Sequence, residues 1–139
     1  MKHTLRPFWA MLIIFGCVVG ISAVSKLLRA KEIVPWRDDF DAAREEGRRD
    51  NKPVMAYFTA DWCGPCQSMK GTTWADASVE AELRGFVPVR IDIDRSPNLA
   101  HAYAVQSIPT MIVLDGEGRV LKSTSGALPP EEFLAWLKG

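Results

Sequence analysis

The chain is poor in the residues that crosslink small proteins through disulfides or metal ions. It has only three cysteines and two histidines in 139 residues. Three cysteines do not make a disulfide scaffold. A structural zinc site needs four ligands, but His3 and His101 lie far apart in sequence, and Cys17 is in an apolar stretch. We therefore predict no metal site, and we interpret His101 as a surface residue.

The chain also lacks an excess of basic residues. Seventeen Lys and Arg balance seventeen Asp and Glu. The first 31 residues carry five basic residues and no acidic one, whereas the remainder carries 12 basic and 17 acidic residues. An acidic soluble part argues against nucleic-acid binding, which needs a basic face. Repeats and low-complexity tracts are absent, and the length fits one domain of about 100 residues behind an N-terminal extension.

The N-terminal extension is predicted to be a membrane segment. Residues 8–24 are uncharged and mostly apolar, and two basic residues precede them. This run exceeds the roughly 7–15 apolar residues of a signal-peptide core and reaches the lower limit of about 17 for a membrane span. We interpret residues 1–28 as a transmembrane anchor, with a signal segment cleaved after Ala23 as the alternative. Cys17 is read as a small apolar residue, although lipidation there stays open.

The most informative stretch is the WCGPC sequence from Trp62 to Cys66. It follows an apolar run, Pro53 to Phe58, that reads as a strand buried on both faces. If a helix begins near Cys63, its first turn has unpaired backbone N–H groups and a partial positive charge. A thiolate at Cys63 would be stabilised there, so we expect its pKa to fall below the free value of about 8.5.

The spacing of the two cysteines suits a reversible disulfide. Cys66 lies one helical turn after Cys63, with Cβ atoms about 5–6 Å apart, which is near the separation that a disulfide needs. One sulfur can attack a substrate disulfide and the other can resolve the mixed disulfide. Pro65 suits the first turn of a helix. Gly64 keeps side-chain bulk away from an approaching partner.

Hydrophobic periodicity predicts the remaining elements. Trp36, Phe40, Ala43 and Gly47 recur at helical spacing, and Asp38 and Asp39 suit the start of that helix. A juxtamembrane linker over residues 29–35 would join it to the anchor. The other predicted elements are a helix from Cys63 to about Thr73, helices over 76–83, 99–103 and 131–138, strands over 86–93, 110–114 and 119–123, and a hairpin turn over 115–118.

The WCGPC sequence, the strand before it and Ile108-Pro109-Thr110 downstream together resemble the thioredoxin family. Within the family, residues 52–55 and 60–63 are most similar to the C-terminal domain of DsbD-type membrane thiol-disulfide interchange proteins. The resemblance covers roughly residues 36–137, and we place the thioredoxin-like domain at residues 36–139. It implies a thioredoxin-like α/β sandwich with a central mixed sheet, here preceded by an N-terminal membrane helix.

The resemblance also implies roles for the site residues. Cys63 is expected to be the nucleophile and Cys66 the resolving thiol, with Trp62 shielding the pair. The Ile108–Pro109 peptide is expected to be cis, to stand opposite the cysteines and to dock an extended substrate segment. No cofactor is implied beyond the redox-active disulfide between the cysteines.

Two positions depart from the family pattern. Relatives commonly hold a buried acid six residues before the first cysteine, where it helps proton transfer to the second, but this chain has Tyr57. The DsbD-type domain tends to carry an acid where this chain has Lys70. We interpret Tyr57 as a core aromatic, Lys70 as a surface charge and Asp61 as solvated. The proton acceptor for Cys66 is thus unassigned.

These observations predict a membrane-tethered thiol-disulfide oxidoreductase. Residues 8–28 would anchor it in the cytoplasmic membrane, with the catalytic domain facing the periplasm or the cell exterior. The Gly-Pro pair between the cysteines matches that of reducing thioredoxins, which favours reduction of disulfide-containing proteins with electrons from a membrane donor. Two alternatives stay open: an oxidant that forms disulfides, and a non-enzymatic module that binds a soft metal ion through the dithiol.

Overall fold

The computed structural model describes residues 31–139, which form one compact unit. The predicted anchor or signal segment over residues 1–28, including Cys17, lies outside the described residues, as do residues 29 and 30. Within residues 31–139, no helix is both long and apolar enough to cross a membrane.

The centre of the domain is a four-stranded mixed sheet, as the resemblance implied. The strand order is β2-β1-β3-β4. Strand β1 pairs with β2 in parallel and with β3 antiparallel, and β3 pairs antiparallel with β4. The strands are β1 (Val54–Thr59), β2 (Val87–Asp92), β3 (Thr110–Leu114) and β4 (Val120–Ser125).

Five helices surround the sheet in the described part of the chain. The start predicted near Asp39 is confirmed, because its side chain accepts a hydrogen bond from the Ala42 N–H and caps the first helix. Trp36 shares the helical spacing but lies ahead of that helix. The helices are α1 (Phe40–Asp50), α2 (Gly64–Gly71), α3 (Ala77–Leu83), α4 (Pro97–Ala102) and α5 (Pro130–Lys138).

Helix α2 is shorter than the prediction, which extended it to about Thr73. It ends at Gly71, and a separate 3-10 turn, Thr73–Ala75, leads to α3. The Thr73 hydroxyl is buried and donates a hydrogen bond to the Leu128 carbonyl. Because Leu128 is distant in sequence, the position of the 3-10 turn depends on a tertiary contact. Hydrophobic periodicity carries no information on such a contact, and so it did not predict the end of α2.

The sheet separates two buried clusters. Successive residues of β1 point to opposite faces, so Met55 and Tyr57 enter one cluster while Ala56 and Phe58 enter the other. We call them the cysteine face and the aliphatic face. The cysteine face includes Met55, Tyr57, Cys63, Cys66, Met69, Trp74, Met111, Val113 and Phe133. The aliphatic face consists of Ala43, Val54, Ala56, Phe58, Val87, Val89, Ile91, Ala100, Ile112 and Leu114.

Residues 32–37 contact the domain beside β2, although the sequence places most of them in a linker. Arg37 forms a parallel bridge with Val89. The Glu32 carboxylate forms an ion pair with Arg90 at 2.9 Å. The Trp36 ring lies 5.3 Å from the Tyr57 ring. This segment therefore covers part of the cysteine face.

Candidate active site

The predicted site residues converge at one edge of the sheet. Strand β1 ends at Thr59, four residues before Cys63, so the cysteines follow its carboxyl end. Strand β3 runs antiparallel to β1 and begins with Thr110 opposite Phe58. Pro109 therefore lies at the edge of the sheet from which the cysteine loop leaves. The Ile108–Pro109 peptide is cis, as the resemblance implied.

Cys63 and Cys66 form a disulfide with an S–S distance of 2.11 Å and a Cα–Cα distance of 5.2 Å. Cys63 is the N-cap of α2, and its sulfur accepts a hydrogen bond from the Cys66 N–H at 3.2 Å. Pro65 occupies the first turn, where a missing N–H costs no intrahelical bond. The predicted helix start at the cysteine pair is confirmed.

The surroundings of the pair are open on one side and closed on the other. Both cysteines are buried, Cys66 completely. A Cβ atom added to Gly64 would meet nothing within 4 Å, so the surface beside Cys63 has room for a partner. Trp62 is 68% exposed, which is unusual for so large an apolar side chain.

Asp94 is a site residue that sequence reasoning missed. The Trp62 indole N–H donates a hydrogen bond to the Asp94 Oδ2 atom at 2.8 Å, across 32 residues of sequence. This bond fixes the ring next to the disulfide although the ring is mostly in solvent. The only sequence signal was that Asp94 lies in the loop after a strand, and that position alone does not identify its partner.

The predicted docking residues have different exposures. Pro109 is buried, and its carbonyl accepts a hydrogen bond from the Gly126 N–H at 2.8 Å. Ile108 is half-buried and packs against both clusters. Trp62 and Ile108 therefore offer apolar surface to a partner, while Pro109 is held by Gly126, the residue that follows β4.

The two departures from the family pattern have different surroundings. Tyr57 is completely buried, and its burial raises the pKa of its hydroxyl. Lys70 is half-buried and lines a cleft of about 610 Å³ together with the exposed Asp61. His101 is exposed, as predicted. Among residues 31–139, no charged side chain is buried, and Thr59, Thr73 and Thr110 are buried threonines.

Within the described part of the chain, no three His, Cys, Asp or Glu side chains group as metal ligands do. The arrangement that is present is a disulfide pair at a helix N-terminus, beside an exposed indole and at the sheet edge that also carries a cis-proline. Such a pair can exchange with another disulfide, because one sulfur is placed for attack and the second lies within bonding distance of the first.

Comparison with known proteins agrees with this arrangement. The family described as Thioredoxin-like domain matches residues 40–139. A thioredoxin from Alicyclobacillus acidocaldarius subsp. acidocaldarius is 32% identical over 97 residues, which is 70% of this chain and 90% of the relative. The solution structure of a thioredoxin from Thermus thermophilus has a TM-score of 0.68 at 26% identity, covering 76% of this chain and 85% of that one.

The predicted likeness to DsbD is also found at the level of the fold. The oxidised C-terminal domain of DsbD from Neisseria meningitidis has a TM-score of 0.63 at 22% identity, covering 74% of this chain and 97% of that domain. The family match spans most of the chain and includes the CxxC pair. The chain belongs to the thioredoxin-like family and is a thiol-disulfide oxidoreductase whose CxxC pair is Cys63 and Cys66.

Proposed function

We propose that this oxidoreductase is tethered to the cytoplasmic membrane by residues 8–28 and reduces disulfides of proteins on its outer side. The observation that carries the chemistry is the position of Cys63. Its sulfur caps α2 and accepts the Cys66 N–H, so the same N–H and the helix dipole would stabilise a thiolate there. The tether is supported by the apolar run of residues 8–24.

In the reducing direction the dithiol supplies two electrons. The Cys63 thiolate attacks one sulfur of the substrate disulfide, forms a mixed disulfide and releases the first substrate thiolate, which takes a proton from water. Cys66 loses its proton and attacks the Cys63 sulfur. The Cys63–Cys66 disulfide forms, and the second substrate thiol leaves. A membrane donor then returns two electrons to the pair, and no other cofactor takes part.

Substrate docking would use the surface beside Cys63. An extended segment of the substrate can contact Trp62 and Ile108 through apolar side chains, while backbone groups next to Pro109 pair with it as an added strand would. The open space around Gly64 lets the substrate sulfur approach Cys63 from solvent. The substrates expected at this surface are proteins whose disulfide lies in an exposed, extended segment.

Insulin reduction tests the chemistry. The full chain in detergent should accelerate insulin precipitation in the presence of dithiothreitol, and Cys63→Ser should lower the rate to that of dithiothreitol alone. Cys66→Ser should accumulate a mixed disulfide with insulin that a non-reducing gel resolves. Leu121→Ala, an exposed position on β4 away from the cysteines, is the matched control. Equal rates for wild type and Cys63→Ser would refute the catalytic assignment.

The reduction potential tests the direction of electron flow. Equilibration in glutathione buffers should place the pair near the value of about −270 mV typical of thioredoxin. A value near −120 mV, as for the oxidant DsbA, would instead assign disulfide formation.

Protease treatment of spheroplasts tests the topology. Protease added outside intact spheroplasts should digest the domain. In a separate sample without protease, the full chain should stay in the membrane pellet after a carbonate wash.

A further inference from the structure

The outer edge of β2 is only partly covered. The Val87 N–H donates to the Pro53 carbonyl on the side of β1 at 2.9 Å, so the odd-numbered residues of β2 direct their backbone groups toward β1. The even-numbered residues therefore direct theirs outward. There the Arg37 N–H donates to the Pro88 carbonyl, and the Arg37 carbonyl accepts the Arg90 N–H, both at 2.9 Å. Arg37 thus covers the first part of this edge.

One pair of backbone groups beyond Arg37 is left open. It consists of the Arg90 carbonyl and the Asp92 N–H, and neither has a hydrogen-bond partner among residues 31–139. The chain cannot cover them because it turns away into α1, whose N-cap is Asp39. A carbonyl and the N–H two residues later are what one residue of an added parallel strand binds.

The open pair lies in a cleft beside the redox loop. Arg90 and Asp92 line the cleft of about 610 Å³ together with Asp61. The Asp92 Oδ1 atom accepts the Asp94 N–H at 2.9 Å, and Asp94 accepts the Trp62 indole N–H at 2.8 Å. The cleft, which we call the β2 cleft, is therefore continuous with the surface that presents Trp62.

The β2 cleft and Pro109 lie on opposite sides of β1. The sheet register places Asp92 beside Thr59 on one side of β1 and Thr110 beside Phe58 on the other. The cysteine loop leaves the sheet between them. A substrate disulfide joins two chain segments, and docking at Pro109 accounts for only one. The β2 cleft is placed to receive the other.

The side chains of the β2 cleft suit a polar segment. Lys70, Arg95, Asp38 and Asp61 all line it, and none of them forms an ion pair with another residue of the range 31–139. Charges of both signs that remain hydrated favour polar and charged side chains over apolar ones. The β2 cleft therefore differs in character from the apolar surface that Trp62 offers.

We infer that the β2 cleft binds a polar, extended segment of the protein substrate, on the far side of the redox loop from Pro109. The inference rests on the proposed function, which supplies a protein disulfide as substrate. One substrate residue would donate its N–H to the Arg90 carbonyl and accept the Asp92 N–H, as Arg37 does one step earlier along the edge. A small disulfide without peptide groups cannot make these bonds, so the β2 cleft should act only on protein substrates.

A proline substitution tests the open pair. The Asp92 N–H points away from β1, so Asp92→Pro removes no bond of the sheet, and Pro88 already occupies an outward position in the same strand. Asp92→Ala is the matched control, because it loses the same side chain but keeps the N–H. Both variants are made in the full chain with Cys17→Ser, in detergent. Insulin reduction with saturating dithiothreitol is compared with the reaction toward Ellman's reagent, which has no peptide groups.

We expect Asp92→Pro to raise KM for insulin about fivefold relative to Asp92→Ala, since one net hydrogen bond contributes a factor of about two to ten. The two variants should have the same kcat and the same rate with Ellman's reagent. Equal KM values would overturn the inference. A matching loss toward Ellman's reagent would also overturn it, because the substitution would then act on the redox pair itself.

Amide exchange gives a second measurement that does not need the proline variant. The chain carrying Cys17→Ser and Cys66→Ser is trapped at Cys63 as a mixed disulfide with insulin, and exchange of the Asp92 N–H is followed by NMR. It should be about fivefold slower than in the same protein carrying nitrothiobenzoate on Cys63. Equal exchange in the two adducts would overturn the inference. Failure to form either adduct would instead refute the proposed role of Cys63.

Discussion

The two faces of the sheet bury different kinds of side chain. The cysteine face holds the disulfide together with Tyr57 and Trp74, whose rings carry polar atoms. The buried members of the aliphatic face are Val, Ile, Leu and Ala side chains with one aromatic ring, that of Phe58, while the partly buried Phe40 and Tyr103 pack against them. Strand β1 supplies both, because its side chains alternate. The redox pair therefore lies on one side of β1 and an aliphatic core on the other. Mutations on the cysteine face should change activity, and mutations on the aliphatic face should change stability.

The largest effect on stability is expected on the aliphatic face. Phe58→Ala removes a completely buried ring and should lower the free energy of unfolding by about 3–5 kcal/mol. Guanidinium titration of the full chain in detergent, followed by tryptophan fluorescence, measures the loss. The exposed Leu121→Ala should stay within about 0.5 kcal/mol of wild type. Cys63 in the folded fraction of Phe58→Ala should react at the wild-type rate. An altered rate would show that the aliphatic face also affects the redox pair.

Gly47 and Gly64 differ in the space available for a side chain. A Cβ atom on Gly47 of α1 would lie 2.8 Å from the Lys52 carbonyl oxygen and 3.0 Å from a Val54 methyl group. Gly47→Ala should therefore destabilise the domain by about 1–3 kcal/mol, as overpacking does. Gly64→Ala meets no neighbour within 4 Å and should cost no stability. Equal effects of the two changes on the denaturation midpoint would show that the helix α1 contact can adjust.

Trp62→Ala tests the exposed side of the cysteine face. Truncation of this indole should lower kcat/KM for insulin reduction by about tenfold, as expected for a central aromatic anchor worth about 1–2 kcal/mol. Stability should change by less than about 0.5 kcal/mol, because the ring is largely in solvent. Val120→Ala, an exposed apolar residue on β4, is the control and should leave both quantities unchanged. An unchanged kcat/KM in Trp62→Ala would remove the indole from the docking surface.

The smallest expected effect is on stability at low pH, and it comes from Asp115. This residue lies at the opposite end of β3 from Pro109. The Arg119 backbone N–H, with the Arg119 side chain and the Glu117 N–H, holds the pKa of Asp115 below its ordinary value of 3.8. Because the folded pKa is lower than the unfolded one, this stabilisation is present above about pH 4 and is lost as the pH falls through the folded pKa.

Asp115→Asn should therefore reduce the fall in melting temperature between pH 6 and pH 3. Thermal scans of both proteins at the two pH values measure the difference. The rate of reaction of Cys63 in the folded protein at pH 6 should not change, since Asp115 lies at the far end of β3. An identical fall in melting temperature in both proteins would show that other carboxylates control the acid response.

Much of the fold was predictable because its signals are local. The continuous apolar run before the cysteines correctly predicted a strand buried on both faces, and β1 is buried at all six positions. Asp39 and the Cys63-Pro65 turn start helices through groups that lie within three residues of each other. The end of α2 was wrong by two residues, because Thr73 is held by Leu128, 55 residues away.

The parts of the site that escaped prediction join distant segments. The bond from Trp62 to Asp94 spans 32 residues, and the ion pair between Glu32 and Arg90 spans 58. The meeting of Tyr57 with Trp74 depends on where the 3-10 turn packs. Spacing within one element carries no information on such contacts, since many partners of similar character are available along the chain.

The sequence by itself determined the redox pair and its helix, because two cysteines one turn apart after a buried strand need only neighbouring atoms to form that geometry. Tertiary structure alone decided which groups surround the pair. Antiparallel pairing of β3 with β1 puts Pro109 at the same edge of the sheet, and packing of Trp74 against Tyr57 fills the interior on the cysteine face. These arrangements arise when the sheet and its covering helices exclude water together, and no single segment specifies them.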